Sequence, residues 1–197
     1  SVGLDDCLRF MNIEKNAYED VCTKLGGQPK DLDHVQDLTG VVTVKSVILF
    51  SKGSVLLEQV LPYEPSCIAI SSANHYVLIG DNAANLVHVY ESKGDKLEEL
   101  RTVTVSGTPT CIRVAPDQKH VVIGDTNRKV TLLAMDTFEK TSNKEWGFHT
   151  ARVNCLAWAP NSMYVASGGL DCAVILWSVE NPEKHCIMQS AHVQSQI

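Results

Sequence analysis

The chain has 197 residues, 44% of them hydrophobic and 20% charged, with a formal net charge of −6. No run of Lys and Arg is longer than Arg128-Lys129, which argues against the basic footprint of a nucleic-acid binder, and no apolar run reaches the length of a membrane-crossing helix. The acidic balance suits protein partners, though net charge speaks first to solubility. The seven cysteines include no C-x-x-C pair and no Cys/His finger spacing, and there is no N-x-S/T acceptor. Free thiols in a reducing cytosol are therefore expected, not zinc ligands or a disulfide framework. Neither an initiator Met nor a basic-then-apolar leader opens the sequence.

Residues 1–13 read as the end of a repeat unit. Ser1–Met11 (SVGLDDCLRFM) aligns with Ser167–Trp177 (SGGLDCAVILW), sharing a Gly-Leu-Asp turn at Gly3-Leu4-Asp5 and Gly169-Leu170-Asp171. Residues 18–57 are expected to form a degenerate unit, with inner strands at 30–36, 41–45 and 47–51 joined by shortened turns. Pro29 aligns with Pro65 and Pro109, ahead of each inner strand. Three well-marked units follow at 58–97, 98–138 and 139–181. Their cores begin at Cys67, Cys111 and Cys155 and superimpose at a spacing of 44 residues without insertion or deletion. Gly80, Gly124 and Gly168 share a column, as do Val77, Val121 and Val165, and Leu86, Val130 and Val174. Residues 182–197 begin the next unit, around Ser190-Ala191-His192-Val193.

A period of about 40–45 residues belongs to four-stranded propeller blades, and each copy alternates apolar and polar residues between Gly, Asn and Asp breaks, as strands do. The expected fold is all-β: a partial β-propeller of about four to five four-stranded antiparallel blades. Because the chain opens and closes within a blade, it is expected to be an excerpt of a larger ring of about seven. A cysteine recurring once per blade reads as a small core hydrophobe.

The unit at 139–181 carries His149, Ser167, Asp171 and Trp177. Ser, His and Asp together invite a nucleophile-triad reading. Ser167, however, sits in Val165-Ala166-Ser167-Gly168-Gly169, which is not G-x-S-x-G, and no strand-to-helix elbow is predicted. A hydrogen-bonded structural chain explains the set better, since a buried Trp N–H and an Asp carboxylate both need partners. In the other units Trp177 is matched by Val89 and Leu133, while Asp81 and Asp125 keep a turn acid. Asp31 and Asp33 share one strand face, which reads as a solvated edge before it reads as a calcium site. His75, His88 and His120 fall near strand ends, either as a pH-sensitive group or as separately satisfied histidines. Asp95, Lys96, Glu98 and Glu99 form a charged hairpin that is solvated or meets a partner. Phe138, Trp146 and Phe148 flank a polar loop; Trp146 and Phe148 are expected between blades, and an exposed aromatic there would be a partner anchor.

The stretch HTARVNCLAWAPNSMYVASGGLDCAVILWSV, 149–179, resembles a WD repeat throughout, with Trp177-Ser178 standing where that family usually has Trp-Asp. SVGLDDCLRF at Ser1–Phe10, YEPSCIAI at Tyr63–Ile70 and the stretch Cys155–Glu183 resemble, more narrowly, the second propeller of the actin-interacting branch of WD-repeat proteins. In WD repeats, residues such as His149, Ser167, Asp171 and Trp177 lock the blade by hydrogen bonds. The resemblance implies a cytoplasmic, cytoskeletal protein that binds actin filaments and cofilin and promotes filament severing and disassembly without catalysis. It implies no cofactor, metal, small-molecule substrate, nucleic acid or membrane, and it transfers no partner-contact residue. A generic WD-repeat scaffold for another assembly is the alternative, because fold alone does not separate the two.

Overall fold

A computed structural model describes residues 1–141 and 146–191, with only the backbone described at 19–21. The described residues form seventeen strands in five antiparallel sheets, and no helix occurs among them. β1 (Cys7–Asn12) pairs with β2 (Ala17–Lys24). β3 (Pro29–Val35), β4 (Leu38–Thr43), β5 (Ser46–Ser51) and β6 (Ser54–Val60) form a second sheet. β7 (Pro65–Ser71), β8 (Tyr76–Asp81), β9 (Leu86–Lys93) and β10 (Lys96–Thr104) form a third. β11 (Pro109–Val114), β12 (His120–Asp125) and β13 (Val130–Ala134) form a fourth, with single bridges from Leu133 to Lys140 and from Val130 to Trp146 on its outer edge. β14 (Val153–Trp158), β15 (Tyr164–Gly169), β16 (Val174–Ser178) and β17 (His185–Met188) complete the set.

Within each sheet the strands pair in sequence order, and the sheets then stack face on face, also in order. Leu8, Val41 and Phe50 join the first sheet to the second. Val42, Leu49, Ile68 and Ile79 join the second to the third. Cys67, Leu78, Ile112 and Val121 join the third to the fourth, and Cys111, Val122, Val165 and Trp177 join the fourth to the last. Middle strands are therefore covered on both faces, which is why β8 and β12 are buried from their second residue to their last and read as continuous apolar runs. The innermost strands β3, β7, β11 and β14 lie beside one another. The fold is a partial β-propeller.

Cysteine and glycine recur together for a steric reason. Cys111 is registered opposite Gly124, and a Cβ on Gly124 would stand 2.8 Å from Cys111 Sγ and 2.7 Å from Val153 Cγ1. The thiols at Cys67 and Cys111 are buried, and burial pushes each up to about 12, so both act as packing groups. Cys155, in the same column, is exposed. Among the described residues no sheet is laid over that face of β14–β17, and Leu176 on the same face is also exposed.

The structure departs from the sequence expectation in four respects. The residues at 18–24 do not open the next unit: β2 pairs back onto β1. The unit expected to be degenerate is a regular four-stranded sheet, β3–β6; its weak signal comes from short turns, such as the one in which Thr43 Oγ1 accepts the Ser46 N–H at 3.1 Å. The three copies are also not free of insertions. Gly80 pairs with Val87, whereas Gly124 and Gly168 pair with Val130 and Val174. The turn after β8 therefore holds one more residue, and Val77 faces Tyr90 where Val165 faces Trp177. The counterpart of Trp177 is Tyr90, not Val89. The expected unit limits at 57/58 and 97/98 fall inside β6 and β10, because each outer strand bonds to the sheet before it. His192 and Val193, expected to start another unit, lie outside the described residues.

Candidate functional site

The loop entering β14 carries His149, and it brings the four expected residues into one hydrogen-bonded chain. Trp177 Nε1–H donates to Ser167 Oγ at 2.8 Å. Ser167 Oγ lies 2.8 Å from His149 Nε2, and His149 Nδ1 lies 3.0 and 3.1 Å from the two Asp171 oxygens. All partners are satisfied when the Ser167 hydroxyl donates to Nε2 and Nδ1–H donates to the carboxylate. Asp171 also accepts the N–H groups of Thr150 at 2.7 Å and Ala173 at 3.2 Å. Burial pushes the Asp171 carboxyl up, but these N–H donors and His149 outweigh it and hold it below the usual range.

The Ser–His–Asp connectivity copies that of a nucleophile triad. Its surroundings differ. Ser167 is 1% exposed and His149 3%. Trp177, fully buried, caps the hydroxyl and stacks on Trp146 with ring centroids 5.1 Å apart. Trp146 in turn donates to the Pro182 carbonyl at 3.1 Å. The Ser167 hydroxyl thus lies buried against the indole.

The other candidates fall in different places. Asp31 and Asp33 are not a solvated edge. Asp31 Oδ2 accepts the Ile68 N–H at 3.1 Å and Asp33 Oδ2 the Ile70 N–H at 2.8 Å, so this pair ties β3 to β7 across two sheets. Two carboxylates spaced by two on an inner strand, facing the next inner strand's backbone, was the signal for it. Trp158 makes a similar tie, donating from Nε1 to the Arg113 carbonyl at 2.9 Å. His75, His88 and His120 each have their own setting. His75 is exposed at a positive-φ turn position. His120 Nδ1 lies 3.6 Å from Asp117. His88 is nearly buried, stacks on Tyr63 with centroids 4.0 Å apart and meets Glu99 Oε1 at 3.0 Å. Beside it, the Tyr63 and Tyr90 hydroxyls are 2.9 Å apart, a pair that lone tyrosines in sequence did not reveal. In the charged hairpin, Lys93 pairs with Glu98 at 2.8 Å and Glu91 at 3.1 Å, and Lys96 also pairs with Glu98. Trp146 and Phe138 are buried, whereas Phe148 is 52% exposed and stacks on His185 at 3.9 Å. The expectation that Phe148 lies between blades fails, because the ring sits on the outer flank of Trp177 against β17.

Comparison with known proteins agrees with this architecture. Residues 140–178 match the family described as WD domain, G-beta repeat. That stretch of the chain carries a WD repeat. It is 40% identical over 197 residues to Actin-interacting protein 1 of Drosophila melanogaster, across 99% of this chain and 32% of that protein. It is 33% identical over 194 residues to a 66 kDa stress protein of Physarum polycephalum, across 98% of this chain and 32% of the relative. Against Actin-interacting protein 1 of Caenorhabditis elegans it is 31% identical over 204 residues, across 100% of this chain and 33% of the relative. The chain thus spans about a third of the length of these relatives.

Proposed function

We propose that the protein is a non-enzymatic regulator that binds actin filaments and, together with cofilin, promotes their severing and disassembly, in a cytoplasmic, cytoskeletal setting. The observation that carries this reading is the similarity, along nearly the whole chain, to proteins named Actin-interacting protein 1. The structure supports the non-enzymatic part: the Ser167–His149–Asp171 constellation is closed under Trp177, and the Ser167 hydroxyl is committed to two neighbours. On this reading His149, Ser167, Asp171 and Trp177 hold a blade rigid, the sheets belong to a ring of about seven blades, and the loops between strands present the binding surface. Binding alone then does the work, by favouring a filament state that breaks.

The test is co-sedimentation of the full-length protein with actin filaments, with and without cofilin. Pelleting that rises with cofilin, together with loss of filament mass, is the expected result. Absence of pelleting in both conditions would leave a WD-repeat scaffold for some other assembly as the better reading.

A further inference from the structure

His88, on β9, stands beside the cluster that joins the second sheet to the third. Its surroundings come from those two sheets and the residues between them. Tyr63, in the connector 61–64, lies flat on the imidazole with ring centroids 4.0 Å apart, and Tyr90, on the same strand, stacks at 6.3 Å. Two carboxylates face the ring edges. Glu99, from β10, lies 3.0 Å from Nδ1, and Asp81, at the end of β8, lies 3.7 Å from Nε2. Glu99 is the nearer, so the neutral ring carries its one hydrogen on Nδ1. Nε2 is then a bare acceptor, buried, without a hydrogen-bond partner and facing a carboxylate oxygen. The His88 and Asp81 side chains are each 11% exposed, so solvent screens that contact little. Burial lifts the Tyr63 and Tyr90 hydroxyls above their usual range, which leaves the imidazole as the group here whose type changes charge near neutral pH. The connector itself is pinned by backbone at both ends: Leu61 N–H donates to the Lys45 carbonyl at 2.8 Å and Asn82 N–H to the Glu64 carbonyl at 2.8 Å. Tyr63 is its side-chain hold on the third sheet.

We propose that His88 is a proton-operated lock on the join between the second and third sheets. A proton taken from solvent, which reaches the half-exposed Glu99, gives Nε2 an N–H to donate to Asp81 while Nδ1–H stays on Glu99. One cation then ties β8, β9 and β10 together and presents its charge to the face of Tyr63. Burial opposes the charged ring. The neutral ring, however, is the form with the unmet contact, since it sets a lone pair against a carboxylate. Acid therefore tightens the connector, and a rise in pH loosens it. The inference goes beyond the filament reading and does not depend on it, because the cluster is complete within the two sheets it joins.

The experiment is amide hydrogen exchange of the full-length protein, read by mass spectrometry over residues 61–64 and at Asn82, at about pH 8 and about pH 6 and corrected for the intrinsic pH dependence of exchange. Protection should rise about tenfold at the lower pH, the gain of one charge-assisted hydrogen bond. His88→Gln offers Glu99 an N–H but does not titrate, and it should remove the rise. Asp81→Asn keeps an oxygen for the Ala83 amide, which Asp81 accepts at 2.7 Å, but drops the charge; it should remove the rise as well. His75→Gln, at an exposed turn, should leave it intact. Melting midpoints confirm that each variant is folded, and Asp81→Asn decides alone if His88→Gln unfolds the protein. Equal protection at the two pH values overturns the proposal, as does lower protection at about pH 6. A rise that survives in Asp81→Asn overturns it too.

Discussion

In β14–β17 the space around the third strand is filled by His149, Ser167 and Trp177, while in β7–β10 the same positions hold Leu61, Ile79 and Tyr90. The two sheets before and after the latter follow its apolar pattern, with Leu25, Val41 and Phe50 in one and Val105, Ile123 and Leu133 in the other. Each set lies four residues ahead of the inner strand, on the second strand and on the third. The Trp, Ser and His therefore arrive together, while a turn acid persists without them at Asp81 and Asp125. Trp177 brings an N–H that must be satisfied, so the second strand supplies Ser167; Ser167 in turn needs His149, and His149 needs Asp171. Leu133 and Phe50 bring no polar atom, and their neighbours are apolar. Tyr90 is intermediate: its ring occupies the Trp177 site, and its hydroxyl is met by Tyr63 from the entering loop.

The largest effect that would break this comparison is removal of the indole. Trp177→Ala empties a fully buried site that Trp146 stacks on and leaves Ser167 short of one partner, so a loss of about 3–5 kcal/mol is expected. Thermal unfolding of the full-length protein measures it, and an unchanged midpoint would mean that the last blade does not depend on Trp177.

A smaller effect separates the polar set from its apolar counterparts. Ser167→Ala strands a buried His149 nitrogen and the Trp177 N–H, at about 1–3 kcal/mol. Tyr63→Phe strands only the hydroxyl of Tyr90, at about 1 kcal/mol, and Tyr90→Phe added to it should cost little more, because both partners are then gone. Additive losses for the two tyrosine changes in chemical denaturation would show that their hydroxyls do not depend on each other.

The repeat was legible because propeller blades impose a strict order on short strands. The Gly column, the Val column and the turn acids all follow from backbone register, which one sequence displays through its own copies. His149 and Ser167 were legible for the same reason: each is a polar residue at a position that the other copies fill with aliphatic groups. Less legible was anything that depends on side chains meeting across sheets. Asp31 and Asp33 look like surface acids until β7 is laid beside β3 with the Ile68 and Ile70 amides facing them. The one-residue expansion of the turn after β8 also escaped notice, because the constant 44-residue spacing of the inner strands conceals a gain that is offset before Pro109. The sheet β3–β6 lacks Cys and Trp markers, and its regularity rests on Val41, Val42, Val47 and Leu49, which are buried but not distinctive.

The smallest expected effect sets Asp171 against Asp31, two carboxylates tied to backbone N–H groups in different ways. Asp171 is held below the ordinary carboxylate value: burial raises it, and the Thr150 amide, His149 and the Ala173 amide more than reverse that. Asp31 is pushed above the ordinary value by its burial, against the pull of the Ile68 amide, Arg113 and the Leu32 amide. The unfolded value of both lies near 3.9. With its folded value lower than that, Asp171 stabilises the native state above about pH 4 and loses this contribution as pH falls through the folded value. For Asp31 the native state binds the extra proton, so its contribution is present below about pH 4 and is lost as pH rises through the raised value. Melting profiles between about pH 3 and 7 should therefore diverge in opposite directions. Relative to the unsubstituted protein, Asp171→Asn should lose ground as pH rises, whereas Asp31→Asn should gain it. Two variants whose offsets stay constant with pH would mean that neither carboxyl is shifted, and that the ties at Ile68 and Thr150 act through geometry alone.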